Sequence, residues 1–130
     1  MSYEPGHHII DIGGDTLALN AIKGSWESFS SGTAFRKIYQ VDPMDTENSY
    51  IWQDYGRNLA IGLHNVILMW LPEIIILGGS MSKKSELFLS VAKKELEKSL
   101  YGKAPEIKVS RLDDKNGLLG GLYYLKSVSN

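Results

Sequence analysis

Three side chains near the start of the sequence have types and a spacing that suit one chemistry. Glu4-Pro5-Gly6-His7 sets a carboxylate and an imidazole close together, and Gly24-Ser25-Trp26-Glu27 adds a second carboxylate. A carboxylate accepts two hydroxyl donors in a fixed fork, and an imidazole donates or accepts. Glu4, His7 and Glu27 together can therefore grip several hydroxyls of one sugar. A site built this way rejects analogues lacking a hydroxyl, because its own groups would be left unpaired. Taken singly, each residue has a plainer reading, with Glu4 and His7 on a mobile N-terminal tail and Glu27 on a solvated helix face. A second constellation is Gly78-Gly79, directly after the apolar run Ile74-Ile75-Ile76-Leu77. Paired glycines let a backbone lie close to a ligand, or simply make a strand-to-helix turn.

The elements that must carry these residues follow from periodicity. Residues 8–12 and 16–20 read as short strands joined by a turn at Gly13-Gly14-Asp15. Residues 25–40 read as helical with a break at Gly32, where Ser31-Gly32-Thr33 ends one short helix and caps the next. Residues 41–48 are polar, contain Pro43, and read as a loop. Ile51, Tyr55, Leu59, Leu63, Val66 and Trp70 recur at helical steps, and Pro72 ends that helix. Its last two turns are apolar nearly all round, which predicts a helix covered on several sides. Residues 73–77 read as a buried parallel strand. Ser82 is placed to cap a helix reaching about Tyr101, with Leu87, Phe88, Val91, Leu96 and Leu100 inward. Residues 106–111 read as another strand, 113–117 as a turn, and 118–128 as a closing helix with Gly120 and Gly121 allowing close backbone approach. Alternating helix and strand in the second half implies an α/β layer with parallel strands. One domain covers residues 1–130, with no repeat and no flexible linker.

Bulk properties narrow the functional classes. The chain has 130 residues, 43% of them hydrophobic and 22% charged, enough for one buried core. Fourteen basic against fifteen acidic residues give a net charge of −1, so no basic surplus favours nucleic acid or an anionic membrane. Cysteine is absent, which removes disulfides and thiolate metal sites. No signal peptide is recognisable, and polar residues with Pro72 interrupt the longest apolar run, so a cytoplasmic protein without a membrane span is expected.

The motifs, taken together, resemble the ROK family of repressors, open reading frames and sugar kinases, over nearly the whole chain from Tyr3 to about Leu125. The family's Glu-x-Gly-His matches Glu4-Pro5-Gly6-His7. Its following Cys-x-Cys-Gly-x-x-Gly-Cys-x-Glu segment matches Ala18-Leu19-Asn20-Ala21-Ile22-Lys23-Gly24-Ser25-Trp26-Glu27 at the second glycine and the glutamate only. Tyr55-Gly56-Arg57-Asn58-Leu59-Ala60-Ile61-Gly62-Leu63-His64-Asn65 resembles the family's long helix. Pro72-Glu73-Ile74-Ile75-Ile76-Leu77-Gly78-Gly79 follows the family's Pro-Glu-x-Ile-x-Leu-Gly-Gly strand end and is the most specific match. Asn116-Gly117-Leu118-Leu119-Gly120-Gly121 is similar to the closing Gly-Leu-Leu-Gly-Ala segment, where helix packing is expected rather than ligand contact. Asp11-Ile12-Gly13-Gly14-Asp15-Thr16 looks like the phosphate loop of actin-like kinases, but it follows the Glu-x-Gly-His motif and reads as coincidence.

The resemblance implies an actin-like (ribonuclease H-like) fold, of which this chain is the C-terminal lobe, a mostly parallel sheet flanked by helices. It implies that a preceding lobe, about half of a family kinase, is absent from the chain. It implies hexose or N-acylhexosamine binding by Glu4, His7 and Glu27, as in a glucokinase or N-acetylhexosamine kinase, and places Gly78 and Gly79 on the adenosine side of an ATP site used with Mg²⁺. The general base in family kinases is an aspartate of the preceding half, worth roughly 10²–10⁴-fold. Nothing here matches its motif, so no catalytic residue is assigned and the chain alone is expected to be poorly active or inactive. Family cysteines and the motif histidine hold a structural zinc. Ala18, Asn20 and Ser25 replace those cysteines, so no zinc is expected. A homodimer is expected. Two other readings stand beside the kinase lobe: the non-catalytic sugar-sensing domain of a ROK repressor, and a half-protein that folds by self-association or by pairing with a separately made N-terminal half.

Overall fold

One long helix sets the geometry of the molecule. In the computed structural model, residues 5–11 and 24–110 are described, together with the backbone of residues 122–125. A short 3₁₀ turn, Pro5–His7, leads to the helices α1 (Glu27–Ser30) and α2 (Gly32–Tyr39), and a second 3₁₀ turn spans Pro43–Asp45. Then come α3 (Ser49–Trp70), the strand β1 (Ile74–Leu77), a third 3₁₀ turn (Ser80–Lys84), α4 (Ser85–Ser99), and the strands β2 (Glu106–Val109) and β3 (Leu122–Leu125).

Side-chain caps set several of these boundaries. Ser31 accepts from the Ala34 N–H and opens α2 after α1, as the Ser31-Gly32-Thr33 spacing predicts. Asn48 accepts from the Tyr50 N–H and opens α3. Between α2 and α3, Asp42 accepts from the Met44 N–H and from Arg36 Nε, each at 2.9 Å. The Met44 N–H first and the Arg36 guanidinium second hold its carboxyl below the usual range. Leu71 closes α3 in the left-handed region at φ 48°, and Pro72 follows it.

The core lies between α3 and the elements on either side of it. Phe35 of α2, Trp52 and Tyr55 of α3 and Phe88 of α4 form one aromatic cluster, with Phe35–Trp52 centroids at 4.7 Å and Tyr55–Phe88 at 5.0 Å edge to face. Such pairs add about 0.5–1.5 kcal/mol each beyond the area they bury. Leu59, Leu63 and Val66 extend the buried stripe toward Ile75 and Leu77 of β1. The Tyr55 hydroxyl donates to Ser30 O at 2.7 Å and fastens α1 to α3.

The described sheet has the order β2-β1-β3. β1 and β2 are parallel with Ile75 opposite Ile107, as the helix between them requires. β3 pairs antiparallel with β1, Leu77 opposite Leu122. The expected parallel arrangement thus holds on one side of β1 only.

Four sequence expectations need correction. Leu122–Leu125 is a strand and not part of a closing helix, because β1 has a free edge and the run Leu122-Tyr123-Tyr124-Leu125 suits a pleated surface. The expected strand at 8–12 is, over its described part, a single antiparallel bridge, Ile9 to Ser25. The Ser82 cap does not open α4. Ser82 lies inside a 3₁₀ turn and bonds Gly79 O at 2.6 Å, so α4 starts at Ser85. The last turns of α3 are not covered on several sides, since Leu68 and Met69 are exposed. The expectations for residues 16–20 and for the turns at 13–15 and 113–117 lie outside the described residues.

Candidate functional site

The first candidate site forms where the N-terminal segment crosses the start of α1. The Trp26 N–H donates to His8 O at 2.8 Å, and the N–H groups of Ile10 and Asp11 reach Gly24 O at 2.8 and 3.2 Å. His7 and Glu27 are the chain neighbours on either side of that His8–Trp26 bond. Their side chains meet, with His7 Nε2 standing 3.3 Å from Glu27 Oε2. The imidazole is 42% exposed and the carboxylate 14%, so the pair opens to solvent on one side while its acid is largely enclosed. Two of the three residues singled out from the sequence are thus brought together. Glu4, the third, lies outside the described residues, as do Ala18 and Asn20.

Glu27 owes its position to buried neighbours. Ser25 is 1% exposed, and its Oγ lies 2.9 Å from Ser28 Oγ in the first turn of α1. Trp26 is buried, and its indole packs on α3 where Gly62 leaves room: a Cβ there would fall 2.0 Å from Trp26 Cε2. The His8 ring tilts against the indole at 5.3 Å. His8 Nδ1 donates to Pro5 O, so in the neutral ring Nε2 is an acceptor. That Nε2 and Trp26 Nε1 are buried with no hydrogen-bond partner among the described residues. A single hydroxyl could accept from the indole and donate to the imidazole. Sequence reasoning missed Trp26, His8 and Gly62, because motif spacing gives no direction in which an indole points.

The second candidate site is the C-terminal end of β1, the middle strand of the described sheet. Gly78 is buried, and Gly79 has φ 87° and ψ −178°, a conformation open to glycine and rarely to other residues. Gly79 O accepts from both the Ser82 N–H and the Ser82 hydroxyl, which folds the chain sharply after the strand. In α/β folds the carboxyl ends of strands are where ligands bind. The two sites are near each other. A Cβ on Gly32, just after α1, would stand 3.5 Å from Ser80 Oγ and 3.6 Å from Met81 Sδ, in the turn that follows Gly79. The chain therefore places the acid–imidazole pair and the end of β1 on adjoining elements.

Elsewhere, a cavity of about 330 Å³ lies between α4 and β2, lined by Lys93, Leu96, Glu97 and residues 104–107. It contains none of the residues assigned from the sequence. Among the described residues no helix is long and apolar enough to cross a membrane.

Comparison with known proteins bears on the family and the fold. The sequence model of the ROK family matches residues 1–128. An uncharacterized protein of Clostridium perfringens strain 13 is 25% identical over 143 aligned residues, covering 96% of this chain and 44% of that protein. The crystal structure of a ROK hexokinase from Thermus thermophilus superposes with a TM-score of 0.64 at 23% identity, covering 89% of this chain and 45% of the hexokinase. The chain therefore spans less than half the length of the relatives it matches. The likeness to the hexokinase shows the fold.

Proposed function

The chain belongs to the ROK family, and from that premise we propose that it forms the sugar- and nucleotide-binding C-terminal lobe of an ATP-dependent hexose kinase. The reaction is transfer of the γ-phosphoryl group of ATP to a hydroxyl of a hexose, glucose or an N-acylhexosamine. The observation that carries this reading is the approach of His7 to Glu27 within 3.3 Å, on a segment whose backbone is pinned on both sides. Glu27 accepts sugar hydroxyls, His7 donates to or accepts from a neighbouring one, and Glu4 completes the set. Gly78 and Gly79 let the nucleotide approach the backbone at the end of β1. Mg²⁺ accompanies the phosphates and offsets their charge, and no described residue is assigned to hold it.

Within this chain the work is binding and orientation. A general base and the closure of a cleft around both substrates belong to a second lobe, which would pair with this one. Phosphoryl transfer by these 130 residues alone is expected to be weak or absent. The proposed assembly is a homodimer. An exposed apolar surface at the end of α3, including Leu68 and Met69, supports association.

Calorimetric titration with a panel of hexoses and N-acylhexosamines tests the reading, each hit being repeated with Glu27→Ala. Saturable binding lost in the variant is the expected result. Failure of every sugar to bind would overturn the assignment of a sugar site to this lobe. Sugar binding without any ATP binding would favour the sugar-sensing domain of a repressor instead.

A further inference from the structure

The zinc that the family resemblance implies does not fit this chain. Ala18 has no donor atom, Asn20 offers only a neutral amide, and Ser25 Oγ is buried against Ser28 Oγ. His7 directs Nε2 at Glu27, and the neighbouring Trp26 Nε1 carries a proton and cannot ligate. Neutral hydroxyls and amides are poor zinc ligands. Yet residues 8–11 and 24–26, on either side of that segment, are held together by main-chain hydrogen bonds.

We infer that a metal-free staple orients the His7–Glu27 pair, with the buried Ser25–Ser28 hydroxyl pair and the main-chain bonds between residues 8–11 and 24–26 standing where a zinc ion would otherwise tie the loop. Ser25 links two structures at once. Its backbone forms the bridge to Ile9, and its side chain reaches Ser28 in α1, the helix that carries Glu27. Gly24 lets the loop turn, with φ 71° and no side chain. A Cβ there would lie 2.0 Å from Asp11 O. The Trp26-to-His8 bond then fixes the register that sets residue 7 opposite residue 27. Both partners of that bond are shielded, since Trp26 is 2% exposed and packs against the His8 ring. Water competes poorly for hydrogen bonds in such a place, so losing the bond between two buried hydroxyls is costly. Ser25 and Ser28 are therefore positioning residues, acting on the ligand through Glu27.

The role in sugar recognition rests on the function proposed above, whereas the staple itself does not. Three measurements on the 130-residue chain separate them. After incubation with zinc and dialysis, elemental analysis is expected to find no stoichiometric metal, and EDTA is expected to leave the melting temperature unmoved. Retained zinc or a melt lowered by EDTA would overturn the inference. Next, Ser25→Ala and Ser28→Ala should each weaken hexose binding roughly tenfold through loss of a buried hydrogen bond. The double variant should lose less than the sum of the two single ones, since both substitutions remove the same hydrogen bond. ATP binding at the Gly78–Gly79 edge should stay as in the parent, a separation that general destabilisation would not give. Unchanged hexose affinity in both single variants, or additive losses, would sink the positioning role. Should the parent bind no hexose at all, the sugar reading fails, and hydrogen exchange decides the staple. The Ile10 and Trp26 amides are expected to be protected in the parent and to lose that protection in Ser25→Ala. Unprotected amides in the parent would overturn it.

Discussion

The indole of Trp26 rests on α3 at a position where that helix has no side chain. A Cβ at Gly62 would fall 2.0 Å from Cε2 and 2.3 Å from Nε1, so Gly62→Ala must displace either the indole or the helix. Overpacking of this kind costs about 1–3 kcal/mol. Because Trp26 adjoins Glu27, the same change should also weaken sugar binding. Urea denaturation checks the first effect and calorimetry the second, and a variant as stable as the parent would show that the indole does not sit there. Two tyrosines make a separate prediction about pH. Burial alone raises the pKa of Tyr55, and burial followed by the hydrogen bond to Asp54 raises that of Tyr39, both from 10.0. In each case the folded state holds its proton more tightly than the unfolded chain. Stability from these groups is fully present below pH 10 and is lost as pH rises above it, because the unfolded state then releases protons the folded state keeps. Thermal melts between pH 8 and pH 11 should be level at first and then fall. Tyr39→Phe should make the fall shallower.

At the scale of elements, the sequence spoke most clearly where one physical cause dominated. The α3 stripe of Tyr55, Leu59, Leu63 and Val66 is buried as its spacing predicts, and Ile74–Leu77 is the central described strand. Ser31 caps α2 for the same local reason that made it readable: its Oγ can reach the Ala34 N–H whatever the rest of the chain does. Ser31→Ala should therefore cost about 1 kcal/mol, measurable as a lower denaturation midpoint with an unchanged slope. Legibility failed where the cause was long-range. Ser82 resembles an N-cap, yet Gly79 O claims its hydroxyl and delays α4 to Ser85. Leu122-Tyr123-Tyr124-Leu125 lies in a stretch that reads as helical, and only the open edge of β1 makes it a strand. The candidate site was legible by the same rule. His7, Glu27 and Gly78-Gly79 were visible as residue types at spacing, whereas the Ser25–Ser28 pair and the indole beneath it depend on how the segments fold together.

On the scale of the molecule, α3 poses a problem that the rest of the described chain does not solve. Its inner stripe is buried, but Ile61, Leu68, Met69, Trp70 and Leu71 are each at least 41% exposed. No charged residue lies between Arg57 and Glu73. This surface is at the end of α3 that leads into β1, whereas Gly78 and Gly79 lie at the opposite end of that strand. A partner covering it would therefore leave the strand end open for a nucleotide. An uncharged apolar surface meets a copy of itself without like-charge repulsion, so the proposed homodimer can use it face to face. Replacing both Leu68 and Met69 with lysine puts two positive charges on each copy at the contact. Because both side chains point largely into solvent, the fold should lose little, within about 0.5 kcal/mol per substitution. Sedimentation velocity should find the parent chain associated and the double variant monomeric, with circular dichroism unchanged. A parent chain that sediments as a monomer at every accessible concentration would rule out this surface as a self-association face.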